Sequence, residues 1–207
     1  MNNLFKSVAF LALVGAASAY GQTISTLSSW DNTTGYSPFG YPNTATYGET
    51  FVAPGSALYD ITFELNTPAS DTFKGYLFAW SGSAVTGSAL YTSDVMSTTG
   101  SGSYEAVTFN VGGVPLTPGD SYVFFASTSE TAGSGTGQWG AIFSSSFGGS
   151  FVYENNGTDI SQWSNAGDWT VTGASSAFTA DFAPTPEPTS LALAGLGGLA
   201  LLLRKRK

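Results

Sequence analysis

The sequence predicts an all-β fold, an antiparallel two-sheet sandwich of jelly-roll type. Thr, Ser, Gly, Val, Phe and Tyr dominate the central part of the chain, where helix-forming residues are scarce. No ten-residue window there keeps the 3.6-residue apolar period of an amphipathic helix. Short apolar runs separated by Gly, Ser and Pro recur instead, which favours a sandwich. A β-helix is the alternative, but no repeat of fixed period supports it.

Ten segments have the composition of β-strands. In chain order they are 45–52, 58–65, 73–80, 89–93, 104–110, 121–128, 138–143, 151–154, 169–172 and 177–182. The 58–65 segment alternates, so Tyr59, Ile61, Phe63 and Leu65 are expected on one buried face. The 73–80 segment is apolar on both faces, which predicts a central strand.

A strong turn signal lies between two of these segments. Pro118-Gly119 combines a residue with preset φ and one that accepts positive φ. The segments 104–110 and 121–128 flank this turn, so the sequence predicts that they form a hairpin.

Charge and composition exclude several classes of function. Between residues 20 and 184, Lys74 is the single cation against 13 carboxylates, a net charge of −12. Such a surface repels phosphate backbones and excludes nucleic-acid partners. The chain has no Cys and no His, which rules out disulfides, Ser-His-Asp or Cys-His catalysis, and the commonest ligand of zinc, copper and iron.

Paired carboxylates are a further candidate for catalysis, as in glycoside hydrolysis. The candidate glutamates are Glu49, Glu64, Glu105, Glu130 and Glu154. No pair among them stands out, because each lies in a predicted strand or a polar loop. The chain is therefore predicted to be non-enzymatic.

Residues 1–19 have the pattern of a secretory signal peptide. Lys6 precedes an apolar helical stretch at 8–16, and Ala17-Ser18-Ala19 supplies small residues before the expected cleavage by signal peptidase. Residues 20–184 are then the exported domain.

Residues 185–207 combine a short motif, an apolar run and a basic end. The motif is Pro186, Glu187 and Pro188, and the basic end is Arg204, Lys205, Arg206 and Lys207. The apolar segment 191–203 is shorter than the roughly 20 residues of a full span. It predicts a marginal hydrophobic helix whose basic flank lies at the cytoplasmic interface of the inner membrane.

This order of features resembles the PEP-CTERM sorting signal of Gram-negative bacteria, whose members are processed by the membrane peptidase exosortase. The resemblance implies an exported protein that is held briefly in the membrane and then reaches the cell surface or the extracellular space, often alongside exopolysaccharide production. Segments 51–55, 58–65, 73–80 and 116–122 also resemble, more loosely, the sandwich domains that precede such tails. Some of those domains are similar to carbohydrate-binding sandwiches.

Three tryptophans are candidates for carbohydrate binding. Trp30, Trp163 and Trp169 lie in segments rich in Gly, Asn and Asp that are expected to be loops. An exposed indole suits stacking on the C–H face of a sugar ring. Exposure of all three on one rim would support this site, whereas burial would remove its contacts.

An oxygen-rich loop is a weaker candidate for calcium. Glu154, Asn156 and Asp159 surround Gly157 with carboxylate and amide oxygens, which Ca²⁺ prefers. The full EF-hand pattern is missing, and such residues form turns without a metal. No cofactor is predicted, with calcium as the alternative.

Taken together, the residues and the resemblance predict a signal peptide, one β-sandwich and a sorting tail. The leading hypothesis is a non-enzymatic structural protein of the cell surface or extracellular matrix. The alternative is a carbohydrate-binding module that recognises exopolysaccharide.

Overall fold

The computed structural model describes residues 21–131, 133, 135–143 and 148–183. Within them lie 14 β-strands and two short 3-10 helices. The strands are β1 (Gln22–Ser25), β2 (Gly35–Phe39), β3 (Thr46–Val52), β4 (Ala57–Asn66), β5 (Thr72–Trp80), β6 (Val85–Thr92), β7 (Met96–Ser97), β8 (Tyr104–Pro115), β9 (Ser121–Ser127), β10 (Gly137–Ile142), β11 (Phe151–Glu154), β12 (Thr170–Val171), β13 (Ser175–Ser176) and β14 (Phe178–Phe182). The 3-10 helices are η1 (Leu27–Ser29) and η2 (Ile160–Ser164).

The strands form two sheets of seven strands each. In the first sheet the order is β1-β14-β4-β10-β13, with β2 paired to β10 and β8 paired to β4. In the second it is β12-β11-β3-β9-β5-β6, with β7 paired to β5. All these strand pairs are antiparallel. The prediction of an all-β chain with two antiparallel sheets is confirmed, and the jelly-roll type stays a prediction.

The main core lies between the inner faces of the two sheets. Alternation along each strand sends every second side chain inward, and aromatic rings fill the space between the sheets. Phe63 of β4 lies 5.9 Å from Phe124 of β9 across the sheets, and 4.6 Å from Trp139 of β10 (ring centroids). Each large apolar side chain buried in this way contributes about 1.5–3 kcal/mol, which suits a chain without disulfides.

The second sheet is buried on its outer face as well. Val123 and Phe125 of β9 and Val152 of β11 form a second apolar cluster with Trp163 and Trp169 of the segment 155–169. Because both faces are covered, β3 and β9 are buried along nearly their whole length. Strand β5 lies between β9 and β6, which confirms that the segment apolar on both faces is a central strand.

The predicted hairpin across Pro118-Gly119 is wrong. Strand β8 pairs with β4 in the first sheet, whereas β9 pairs with β3 and β5 in the second. A turn does form, since the Asp120 amide donates to the Thr117 carbonyl at 3.1 Å and Gly119 has a φ of 89°. The turn signal specifies a local reversal of the chain but not the strand that each arm joins.

The expected burial of Tyr59 is also wrong. The register between β4 and β8 shifts between Leu58 and Asp60, the mark of a β-bulge. The bulge reverses the alternation, so Leu58 is buried while Tyr59 is 52% exposed. Ile61, Phe63 and Leu65 are buried as predicted.

Four short strands, β1, β2, β7 and β13, are absent from the sequence prediction. Strand β2 follows Trp30, in one of the segments whose composition predicts a loop. Its Pro38 fits a strand whose single partner among the named strands is β10. The predicted signal helix at 1–19 and hydrophobic helix at 191–203 lie outside the described residues. Within the described ranges, no helix has the length and apolar character needed to cross a membrane.

Candidate functional site

Trp163 and Trp169 are buried against the outer face of the second sheet. Trp163 belongs to η2 and packs against Tyr76 and Phe125, with each pair of ring centroids 4.8 Å apart. Trp169 packs against Phe125 at 5.4 Å and donates its Nε1 hydrogen to the Trp163 carbonyl at 2.8 Å. Both indoles are therefore committed to packing and to hydrogen bonds within the protein.

A buried polar network fixes the segment that carries these indoles. The Thr46 hydroxyl donates to Asn156 Oδ1 at 2.8 Å and accepts from Trp163 Nε1 at 3.3 Å. Asn156 Nδ2 donates to the Ser129 hydroxyl at 2.9 Å and to the Asp159 carbonyl at 3.1 Å. Because buried polar groups need partners, this network explains how a loop with few apolar residues stays packed on a sheet.

Trp30 occupies a different part of the molecule, against the first sheet. It clusters with Ile142 of β10 and with Ala177, and its Nε1 donates to the Thr34 carbonyl at 2.8 Å. The Asp31 carboxylate organises this turn by accepting from the amides of Thr33 and Thr34 at 2.8 and 2.7 Å. The Thr34 hydroxyl also donates to this carboxylate at 2.6 Å, and its hydrogen bond, together with those of the two amides, holds the pKa of Asp31 well below its usual range.

The expectation that the three tryptophans form an exposed rim is wrong. Trp30, Trp163 and Trp169 are 8%, 4% and 6% exposed. They also pack against different sheets, so the structure does not bring all three together. Each indole packs against apolar neighbours and has an internal acceptor for its N–H. It is therefore buried, although the surrounding sequence is polar.

The first sheet carries an open groove on its outer face. Its volume is about 600 Å³, within the range of roughly 300–1,000 Å³ typical of small-molecule sites. The lining residues are Leu27, Trp30, Asn32, Thr33, Glu64, Asn66, Gly102, Ser103, Tyr104 and Gln138. Trp30 is thus the one predicted carbohydrate-binding residue that reaches this groove.

Strand register assembles the floor of the groove. Asn66 of β4 lies opposite Tyr104 of β8 on one side and opposite Gln138 of β10 on the other. Their neighbours Leu65 and Trp139 point into the core, so alternation directs this row outward. Glu64, two residues from Asn66 on the same strand, points to the same face.

Three polar side chains of the floor have no hydrogen bond within the described part of the protein. Asn66, Gln138 and Glu64 are half-buried, yet none of their side chains has a hydrogen bond to another described residue. Partial burial raises the pKa of the Glu64 carboxyl. These groups are free to accept from, or donate to, a molecule in the groove.

The sequence contains only a weak signal for this groove. Glu64 and Asn66 occupy the polar positions of an alternating strand, where solvent exposure is the ordinary expectation. Tyr104 and Gln138 come from segments about 40 and 70 residues further along. Only the pairing of β8 and β10 with β4 brings the four side chains together.

The calcium candidates have other roles in the structure. Asn156 uses both side-chain atoms in the buried network, and the Asp159 carboxylate caps η2 by accepting from the Ser161 amide at 3.0 Å. Glu154 is 2% exposed, and neither carboxyl oxygen has a hydrogen-bond partner among the described residues. Burial, assisted by Asp168 and Asp159, raises the pKa of Glu154 to about 7. No group of three acidic side chains placed to hold a metal ion occurs in the described part of the chain.

A second buried glutamate lies between the two sheets. Glu49 of β3 is fully buried, and its Oε2 accepts from the Ser176 amide at 2.7 Å and the Ser176 hydroxyl at 2.8 Å. Burial raises the pKa of Glu49 to about 8, although these hydrogen bonds act in the opposite direction. Its hydrogen bonds join β3 of one sheet to β13 of the other.

The comparison with known protein families gives a match after the described β-domain. Residues 184–207 match the PEP-CTERM protein-sorting motif. The matched range contains the predicted motif Pro186, Glu187 and Pro188, the apolar segment 191–203 and the basic flank, all outside the described residues. No curated protein matches the chain.

Proposed function

We propose, for a chain that carries a PEP-CTERM sorting motif, a non-enzymatic structural role at the cell surface or in the extracellular matrix. The motif at 184–207 marks an exported protein that is anchored transiently by its C-terminal segment and processed by exosortase. This match is the observation that carries the proposal, because it specifies the route that the preceding β-domain takes.

The composition and packing of the domain support a structural role outside the cell. The chain has no Cys, so its stability depends on packing in the aromatic core between the sheets and not on disulfides. The two buried glutamates lie on different sides of the second sheet, Glu49 in the main core and Glu154 on the outer face. They do not form the facing pair that glycoside hydrolysis requires.

The proposed route has three steps. Signal peptidase removes residues 1–19 after export begins. Segment 191–203 then holds the chain in the inner membrane, with Arg204 to Lys207 on the cytoplasmic side. Exosortase finally cuts near Pro186-Glu187-Pro188, so that the β-domain is released or attached at the surface.

The terminal mass of the mature protein tests this route. We expect the surface or medium fraction of cells with exosortase to contain a chain without Arg204–Lys207. Cells without exosortase should keep the uncut chain in the inner membrane.

Substitutions in the motif supply the matched variants. Glu187→Ala should give the same uncut, membrane-bound chain in cells that contain exosortase. Pro184→Ala, which removes a proline outside the Pro-Glu-Pro element, should be processed like the wild type. A surface chain whose mass still includes the basic end would overturn the proposal, as would processing that does not depend on exosortase.

Carbohydrate recognition is a second candidate function, and one observation favours it. The three-tryptophan site is lost because all three indoles are buried. The groove over β8, β4 and β10 offers a different site, with uncommitted polar side chains beside an aromatic pair.

A further inference from the structure

We propose that the groove over β8, β4 and β10 binds a neutral oligosaccharide, with Tyr104, Glu64, Asn66 and Gln138 as its main contacts. This inference deepens the second candidate function by naming its site and ligand class. It does not depend on how the tail is processed.

The four contact residues form a compact array on a rigid floor. Tyr104, Asn66 and Gln138 are cross-strand neighbours, and directly opposed side chains on adjacent strands have Cβ atoms about 4.5–5.5 Å apart. The row therefore spans three strands of the sheet, and Glu64 adds a carboxyl beside it. Both edges of β4 are hydrogen-bonded, to β8 and to β14 and β10, so the floor is held in one geometry without a ligand.

The hydrogen-bonding capacity of the array matches a polyhydroxyl ligand. Each carboxamide of Asn66 and Gln138 offers two donors and an acceptor oxygen, and the Glu64 carboxylate offers acceptors only. A sugar hydroxyl both donates and accepts, so adjacent hydroxyls can satisfy such a mixed set. These side chains have no hydrogen bonds to the described protein, so a ligand would not need to break any.

An aromatic surface stands beside the polar row. The half-buried Tyr104 ring meets Trp30 edge to face, with centroids 4.8 Å apart and an interplanar angle of 85°. Trp30 is fixed in turn by its hydrogen bond to the Thr34 carbonyl, and it packs so closely on Gly140 that a Cβ there would lie 2.8 Å from its Cζ2. Tyr104 thus presents a preorganised apolar face, which suits the C–H face of a sugar ring and limits the entropy lost on binding.

The glycine at the start of β2 allows this arrangement. A Cβ added to Gly35 would lie 2.3 Å from the Tyr104 hydroxyl and 2.5 Å from the Trp139 carbonyl. Any other residue would displace the Tyr104 ring or strand β10. The position of Tyr104 thus depends on close backbone packing.

Charge and strand pairing argue against other ligands. The lining has a carboxyl and no cation, so anionic glycans and phosphates are repelled. A peptide that adds a strand needs a free sheet edge, whereas β4 is paired along both sides in the floor. A metal ion would find a single carboxylate among the lining residues.

Titration of the purified chain in mild detergent tests the proposal. The probes are the tetrasaccharides of glucose, galactose and mannose, with tetragalacturonate and an uncharged tetrapeptide as the other ligand classes. The readout is the side-chain amide resonances of Asn66 and Gln138 in ¹⁵N NMR spectra, together with the Kd. We expect at least one neutral tetrasaccharide to shift these resonances, and tetragalacturonate and the peptide to leave them in place.

Two variants with a matched control assign the binding to the groove. The Asn66→Ala, Gln138→Ala double variant should weaken binding at least tenfold, because the ligand loses both amide contacts. Asn110→Ala changes the same residue type on the outward face of β8 but outside the groove, and it should bind like the wild type. Tyr104→Ala should also lose binding, with circular dichroism to verify its fold.

Three results would overturn the proposal. The first is that no neutral tetrasaccharide binds, and the second is that the Asn66→Ala, Gln138→Ala variant keeps full affinity. The third is a shift of the groove resonances by tetragalacturonate or the peptide alone. Exosortase processing, measured by terminal mass, should be normal in these variants, so failure of this proposal and failure of the sorting proposal can be told apart.

Discussion

Glu49 shows how a single residue couples the core of this protein to pH. Its carboxyl lies between the sheets, where one oxygen accepts two hydrogen bonds from Ser176 and the other has no partner among the described residues. Water does not reach this position, so the charged form is disfavoured. A neutral carboxyl can remain there at far lower cost than an ion.

The stability of the chain should therefore fall as the pH rises from about 4.5 to about 8, the range between the ordinary and the folded pKa of Glu49. The pKa of Glu49 is raised from its ordinary 4.5 to about 8, and that of Glu154 to about 7. A group whose pKa is raised by folding stabilises the native state fully below pH 4.5 and loses this contribution as the pH rises through the folded pKa. At about 1.4 kcal/mol per pKa unit, we expect urea unfolding at pH 9 to give a free energy a few kcal/mol below that at pH 5.

Two glutamine variants separate the pH dependence caused by Glu49 from the general effect of removing a carboxylate. Glu49→Gln keeps the shape of the side chain without its titration, so most of the difference between pH 5 and pH 9 should disappear. Glu130→Gln is the control, because hydrogen bonds from Tyr76 and Lys74 lower the pKa of Glu130, which places its titration below pH 5. A Glu49→Gln chain with the full wild-type pH dependence would contradict the assignment.

At the scale of elements, the segment 155–169 acts as a cover for the second sheet. Two of its indoles fill the outer apolar cluster, while Asn156 and the η2 cap Asp159 organise its backbone. The Thr46 hydroxyl of β3 is the point at which this cover is joined to the sheet, since it contacts Asn156, Trp163 and Ser127.

Thr46→Val should loosen the cover without removing apolar volume. The change leaves the buried groups of Asn156 and Trp163 without their partner, and each such loss costs about 1–3 kcal/mol. We expect lower global stability and faster hydrogen exchange at the amides of 155–169. Thr62→Val is the matched control, because the Thr62 hydroxyl bonds Thr108 on an exposed face and its loss should cost much less. Equal effects of the two substitutions would show that the network does not fix the segment.

For the whole molecule, we predict that the stability of the domain does not depend on a bound metal ion. The oxygens of Asn156 and Asp159 are used in internal hydrogen bonds, and the described residues include no three acidic groups arranged for a metal ion. We expect the thermal unfolding midpoint to be the same in EDTA and in millimolar Ca²⁺. A higher midpoint in Ca²⁺ that Glu154→Gln abolishes would restore the calcium hypothesis, because the Glu154 carboxyl is the one uncommitted member of the predicted set.

Prediction from the sequence succeeded where the signal is local. Strand β11 has the predicted bounds, β5 and β9 differ from prediction by one residue at one end, and β4 differs by one residue at each end, because apolar alternation and flanking turns are encoded in neighbouring residues. The hairpin across Pro118-Gly119 and the burial of Tyr59 failed, because pairing partners and bulges depend on distant strands. The prediction of exposed tryptophans failed for a related reason, since the apolar residues that bury these indoles lie far away in the chain.

Ten of the 14 strand segments could be predicted from the sequence, as could the acidic and His-free chemistry and the sorting motif at 184–207, because each is a property of contiguous residues or of composition. The burial of Glu49 between two sheets, and that of Trp163 and Trp169, became apparent from the three-dimensional fold. The fold also placed Tyr104, Asn66 and Gln138 in one row. These outcomes depend on which strands pair and in which register, and long-range contacts set that pairing.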